Sequence, residues 1–248
     1  LGPPLQLSYG AKEIEKIEVY RTRQPKAPIH VFIHGGAWRT GSARAAAYMA
    51  ESYVDAGAVF VAVDFNNVGE VDGSLLVMAD QVRRAVAWIK RNASTFGGDP
   101  DRIYVSGTSS GAHLAGVVLT TAWESSFGLP ADTVKGGLLC SGMYELTPVS
   151  LSARASYVKF TPETIDQLSA QRHLNHLNAP LVVAYGTLET PEFQRQNRDF
   201  VAALQGARKP VTLLVGQGYN HFEMFETLAS PYGLLGRAML NLMKLRTT

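Results

Sequence analysis

Ser109 lies at the centre of Gly107-Thr108-Ser109-Ser110-Gly111, directly after the apolar run Ile103-Tyr104-Val105-Ser106. A serine held on a tight turn between strand and helix exposes its hydroxyl, which attacks a carbonyl carbon once a base removes its proton. Such a turn imposes strained dihedrals and brings backbones close, so its flanks need residues without side-chain bulk. Gly107 and Gly111 meet that requirement. A second pattern, His34-Gly35-Gly36-Ala37-Trp38, follows the apolar run Ile29-His30-Val31-Phe32-Ile33. Glycines there let the chain aim backbone N–H groups at an oxygen that becomes negative during acyl transfer. Gly-Gly also occurs in ordinary strand-to-helix turns. Together the two patterns point to acyl transfer, with Ser109 as nucleophile and the amides of Gly35, Gly36, Ala37 and Ser110 as oxyanion donors.

Residues of this kind need a rigid frame, and the chain alternates short β-branched runs with longer amphipathic segments. This is the pattern of an α/β fold: a mostly parallel twisted sheet flanked by helices. Strands are expected at Ile14 to Arg21, Ile29 to Ile33, Val59 to Phe65, Ile103 to Ser106, Gly136 to Cys140, Leu181 to Tyr185 and Val211 to Val215. Leu75, Met78, Val82, Ala85 and Ile89 recur at helical steps, and Phe96-Gly97-Gly98-Asp99-Pro100 reads as the turn that ends that helix. The segment after Ser109 is rich in Gly and Ala near its start, which suits a helix packed closely behind the serine. Residues 142–178 show no clear strand and read as a small cap or substrate loop. With no linker or repeat in view, residues 1–248 read as one domain.

The two glycine patterns identify the chain as similar to the α/β-hydrolase superfamily. It resembles most the kynurenine formamidase (arylformamidase) group, which carries His-Gly-Gly-x-Trp and a Gly-x-Ser-x-Gly running into Ala-His-Leu-Ala. Here those residues are His34 to Trp38 and Gly107 to Gly111, followed by Ala112-His113-Leu114-Ala115. In this fold the nucleophile is followed by an acid and then by a histidine. That order implies His221, which follows the last expected strand, as the base. Of the other five histidines, His34 reads as part of the glycine loop, His113 as part of the helix behind Ser109 and His30 as a half-buried strand residue. The acid is expected after Leu181 to Tyr185, where both Glu189 and Glu192 occur. The resemblance favours Glu189, although the family usually carries aspartate there; Glu192 reads as a first-turn helix carboxylate.

Other patterns have simpler explanations. His173 and His176 are spaced to share a helical face, but no carboxylate joins them, so no metal is expected. Ser156-Tyr157-Val158-Lys159 matches the Ser-x-x-Lys of penicillin-binding enzymes without the accompanying Lys-Thr-Gly. Trp38, Phe65, Tyr144 and Phe222 flank loops at the carboxyl ends of strands, where ligands bind in open α/β sheets, and are candidate substrate contacts.

Composition narrows the partners. The 248 residues carry a net charge of +2, with 46% hydrophobic and 18% charged residues. The basic residues are scattered, so neither nucleic acid nor an anionic membrane is expected as a partner. No apolar run reaches the ~18 residues of a membrane span. The single cysteine, Cys140, sits in an apolar run and reads as a buried thiol. A soluble, cytoplasmic protein is expected; the chain opens on Leu1 and not on methionine, consistent with a trimmed or processed N-terminus, removal of a signal peptide included. Nothing decides between a monomer and a homodimer.

The expected activity is hydrolysis of a small-molecule ester or amide through an acyl-enzyme, with no cofactor required. The resemblance suggests an aryl formamide such as N-formylkynurenine. A general carboxylesterase is the alternative, and a ligand-binding protein without turnover is the alternative of another class.

Overall fold

Eight segments rich in Val, Ile, Leu and Phe pair into one sheet in the computed structural model, which describes residues 1–246. They are β1 (Leu5–Ser8), β2 (Lys16–Tyr20), β3 (Ala27–Ile33), β4 (Val59–Val63), β5 (Gly98–Thr108), β6 (Gly136–Cys140), β7 (Leu181–Gly186) and β8 (Val211–Gly216). Their spatial order is β1-β2-β4-β3-β5-β6-β7-β8. The first two strands pair antiparallel to their neighbours and every later pairing is parallel. The helices are α1 (Ala50–Asp55), α2 (Leu75–Asn92), α3 (Ser110–Leu119), α4 (Trp123–Phe127), α5 (Leu146–Ser150), α6 (Pro162–Leu168), α7 (Pro191–Gly206), α8 (His221–Glu226) and α9 (Leu234–Leu242).

Strand side chains alternate between two faces, and both faces are apolar here because both are covered. Ile29, Val31 and Ile33 of β3 and Val59, Val61 and Val63 of β4 join a core completed by α2, α3 and α7. Phe32, Phe60 and Ala62 point the other way, into a core completed by α1 and α9. His30 shares that second face. It is fully buried, hydrogen-bonded through Nε2 to Ser106 Oγ at 2.6 Å, and its ring meets Tyr53 and Phe60 edge-on. Burial alone drives its pKa down to about 3.

The expected helix face of Leu75, Met78, Val82, Ala85 and Ile89 is fully buried on α2. Several strand ends differ from expectation by one or two residues, and the end of α2 by more. The turn after α2 is shorter, because Gly97 alone takes the left-handed conformation (φ +89°) and β5 already begins at Gly98. Pro100 survives in β5 because the register slips: Ala27 pairs with Gly98 and Ile29 with Ile103, leaving the intervening residues bulged out of the ladder. Strand β1 was not expected. It is four residues long at the sheet edge, where a short, largely exposed run carries little patterning.

Residues 142–178 form an all-helical excursion of α5, α6 and short 3₁₀ turns. Gln196 of α7 ties down its start: its amide oxygen accepts the N–H groups of Tyr144 and Glu145, and its nitrogen donates to Glu145 O. Among the described residues, no helix is long and apolar enough to cross a membrane.

Candidate active site

The backbone at Ser109 is bent to φ 55°, ψ −123° between β5 and α3, a conformation costly for a residue with a Cβ. Its neighbours leave no room for side chains. A Cβ on Gly107 would lie 2.3 Å from Gly111 O, and one on Gly111 would lie 2.1 Å from Ile33 O. The turn is held in place by the Ser109 N–H, which donates to Cys140 O at 2.8 Å, and all ten residues of α3 are buried behind it. Cys140 is buried, and burial pushes its thiol pKa well up, which suits a structural role.

The His34 to Trp38 loop packs directly on this turn. Gly36, Ala37 and Trp38 all take positive φ, at 109°, 56° and 61°. Trp38 N–H donates to Ser110 Oγ at 3.1 Å, and its indole N–H donates to His113 Nδ1 at 3.2 Å. His113 in turn donates from Nε2 to Leu168 O at 3.0 Å. Burial lowers the His113 pKa to about 4, so the ring stays neutral and both contacts persist. His34 stacks on Phe65 with ring centroids 4.3 Å apart and donates from Nδ1 to Gly35 O. Among the described residues, no backbone acceptor takes the N–H of Gly36, Ala37 or Ser110. Gly35 packs against the serine turn itself, since a Cβ there would lie 2.6 Å from Thr108 O and 3.3 Å from the Ser109 Cβ.

His221 opens α8, whose start is fixed by Asn220: its side-chain oxygen accepts the N–H groups of Phe222 and Glu223. Ser109 Oγ–H donates to His221 Nε2 at 3.0 Å, and His221 Nδ1–H donates to Glu189 Oε2 at 3.0 Å. The Glu189 side chain is wholly buried, and its other oxygen accepts Ser141 Oγ–H at 2.5 Å and Gly186 N–H at 2.9 Å. One oxygen is thus committed to the scaffold and the other to the imidazole. Glu192 lies elsewhere, in an exposed ion pair with Arg195 at 2.7 Å on α7.

Ser109 and His221 open onto a cleft of about 510 Å³, lined also by Gly36, Ala37, Arg39, Arg154, Phe193, Phe222 and Phe225. Phe193, Phe222 and Phe225 surround the imidazole at centroid distances of 4.4, 5.8 and 4.6 Å. A larger hollow of about 620 Å³ lies against β2, but Glu13, Lys16, Glu18, Arg44 and Asp64 line it without a nucleophile. Ser109 and His221 line only the smaller cleft of the two.

Three of the four expected aromatic contacts do not line this cleft. Tyr144 is fully buried, stacks on Phe200 at 4.1 Å and bonds its hydroxyl to Asn197, because α7 packs over the start of the excursion. Trp38 is 2% exposed, and both its N–H groups serve to fix the glycine loop. Phe65 is buried under His34. Phe222 does line the cleft, 73% exposed. Ser141, Phe193, Phe225 and Arg154 escaped sequence reasoning; the sequence hint was a polar Ser141 directly after an apolar strand. His173, His176 and Ser156 take local partners, Asp166 O, Asn175 and Ala153 O, and Lys159 pairs with Asp72 from a distant part of the chain.

The family model described as BD-FAE matches residues 17–235. The chain belongs to the BD-FAE family. Among similar proteins is a kynurenine formamidase of Salmo salar, 33% identical over 247 residues, 96% of this chain and 81% of that protein. A kynurenine formamidase of Danio rerio is 31% identical, with 96% and 81% coverage. The propionate-bound esterase Est2 of Thermogutta terrifontis superposes with a TM-score of 0.77 at 19% identity, over 98% of this chain and 92% of that one. This BD-FAE member is therefore an α/β-hydrolase resembling the kynurenine formamidase-like esterases, and its matched relatives are hydrolases.

Proposed function

We propose that this hydrolase cleaves a small amide or ester through a covalent acyl-enzyme on Ser109, with aryl formamides of the N-formylkynurenine type as its preferred class. Ser109 Oγ forms a bond to the carbonyl carbon while its proton passes to His221 Nε2. The carbonyl π electrons move onto oxygen, which the N–H groups of Gly36, Ala37 and Ser110 stabilise. Collapse restores the carbonyl and breaks the bond to the leaving nitrogen or oxygen, which takes the proton from His221. A water molecule then repeats the sequence, releasing the acid and returning the proton to Ser109. Glu189 accepts the Nδ1–H of His221 and holds the imidazole in the tautomer whose Nε2 faces Ser109.

The observation that carries this reading is the unbroken chain from Ser109 Oγ through His221 to Glu189, each link 3.0 Å. The formamide preference rests on the names of the 33% and 31% identical relatives. The test is covalent labelling with a fluorophosphonate. The wild type is expected to gain one adduct at Ser109 and Ser109→Ala none; labelling that persists in Ser109→Ala sinks the assignment.

A general carboxylesterase is the second reading, favoured by the phenylalanine-walled cleft, which imposes no visible requirement for an amide. Comparing kcat/KM for N-formylkynurenine, N-acetyl aryl amides and short p-nitrophenyl esters separates the two.

A further inference from the structure

The cleft carries two positive charges that acyl transfer does not use. Arg39 follows the oxyanion loop and Arg154 lies in the 3₁₀ turn Ala153–Ser156 of the excursion, so the two reach the nucleophile from different parts of the chain. They converge on one ring. The guanidinium carbon of Arg39 stands 4.8 Å from the Tyr157 centroid, and Arg154 Nη1 donates to the Tyr157 hydroxyl at 3.1 Å. Arg154 also sits over Trp38, 5.4 Å from its ring centre.

Their charges are not neutralised. Arg84, Arg172 and Arg195 each hold a carboxylate, whereas Arg39 and Arg154 have none within ion-pair distance among the described residues. No acidic residue lines the cleft among the described residues, and the nearby Glu189 is committed to His221. Aromatic contacts hold both guanidinium groups before any ligand arrives, which reduces the ordering cost of binding. A planar fork of donors held in this way matches a carboxylate, and the three phenylalanines beside it match an aromatic ring.

We propose that Arg39 and Arg154 form a carboxylate-binding subsite that selects aryl amides or esters bearing an anionic group. The inference rests on the serine-hydrolase reading of the same cleft. It assigns specificity to two residues outside the acyl-transfer machinery and places part of the substrate site on the excursion.

Two matched substrate pairs test it: N-formylanthranilate against N-formylanthranilamide, and 4-acetoxybenzoate against 4-acetoxybenzamide. The wild type is expected to prefer the charged member in kcat/KM by about tenfold or more at low salt, carried mainly by KM. That ratio is expected to fall toward one in the Arg39→Gln/Arg154→Gln double variant, with Arg154→Lys intermediate because an ammonium keeps the charge and loses the fork. A wild-type ratio near one, or a ratio unchanged in the double variant, overturns the subsite. Binding of benzoate and benzamide, followed by ligand-observed NMR, needs no turnover. Benzoate is expected to bind about tenfold more tightly and to lose that advantage in the double variant; equal binding overturns the subsite. Fluorophosphonate labelling separates the two readings, since a labelled, active enzyme without charge preference rejects the subsite alone, whereas an unlabelled, inactive one rejects the serine mechanism.

Discussion

The indole N–H of Trp38 donates to His113 Nδ1 at 3.2 Å, which links the His34–Trp38 loop to the helix behind Ser109 and, through His113 Nε2 and Leu168 O, to the excursion. Three segments distant in sequence are thus locked by one neutral imidazole. The loop needs the lock because Gly36, Ala37 and Trp38 are held in a left-handed conformation that the chain does not adopt freely. His113→Ala is expected to lower kcat by about tenfold with a smaller change in KM, since misplaced amides weaken transition-state binding more than substrate binding. Steady-state kinetics on an activated ester checks this; an unchanged kcat would mean that Ser110 Oγ alone holds the loop.

The same histidine makes stability depend on pH. Burial lowers the pKa of His113 to about 4 and that of His30 to about 3, whereas both rise to about 6.5 on unfolding. Below that value the unfolded chain binds protons that the folded protein refuses, so stability is full above about pH 6.5 and falls as pH drops toward 4 and then 3. Each tenfold difference in proton affinity between the folded and unfolded chains is worth about 1.4 kcal/mol, so the two residues together account for a loss of several kcal/mol. Denaturant titrations between pH 7 and 4 are expected to show this decline. His30→Leu, which removes one of the two groups, is expected to make it shallower.

In the proposed mechanism Ser141 is a positioning residue for Glu189. Its own φ is 56°, and of eight non-glycine residues with positive φ among those described, Ala37, Trp38, Ser109 and Ser141 all lie at this site. Its hydroxyl supplies one of two hydrogen bonds to the scaffold oxygen of Glu189. A hydrogen bond to a charged group contributes about 1.5–3 kcal/mol, so Ser141→Ala is expected to reduce kcat roughly tenfold, with little effect on KM. A matching loss in a pre-steady-state acylation burst would locate the defect in the chemical step.

The sheet and the turn at Ser109 were legible because local patterns encode them. Alternating apolar runs mark β3, β4 and β7, and the glycines at 107 and 111 mark a close backbone approach that the structure contains. The cleft walls were not legible. Tyr144 and Phe193 are both aromatic residues beside a strand end, yet one packs under α7 and the other meets His221. That difference depends on how the excursion folds back, which periodicity does not carry. Ser141 and Arg154 act through partners that no local pattern connects to them, and no spacing rule joins Ser141 to Glu189.

Glu189 and Glu192 differ by three positions and by everything around them. Glu189 is wholly buried and bonded to His221, whereas Glu192 is half exposed in a surface pair with Arg195. Glu189→Gln keeps the shape but loses the acceptor charge that sets the imidazole tautomer, and kcat is expected to fall by about 10³-fold or more. Glu192→Gln is expected to stay within about twofold, because exposed ion pairs contribute little. Equal losses in the two variants would remove Glu189 from the relay.

Glycine at 111 is required by space and not by dihedral freedom. Its φ is not in the left-handed region, but a Cβ would lie 2.1 Å from Ile33 O and 2.5 Å from His34 O, both rigid backbone atoms at the end of β3. Gly128 offers the opposite case: φ is +62° and nothing lies within 4 Å of its missing Cβ. Gly128→Ala is therefore expected to cost about 1 kcal/mol, the usual strain of a left-handed non-glycine residue. Gly111→Ala must instead push α3 away from β3, and with it Ser109 and the oxyanion loop. Its loss of stability is expected to exceed about 3 kcal/mol by denaturant midpoint, with fluorophosphonate labelling of Ser109 lost in whatever protein remains folded. If Gly111→Ala proved no worse than Gly128→Ala, the contact between the first turn of α3 and β3 would not be what sets the serine in place.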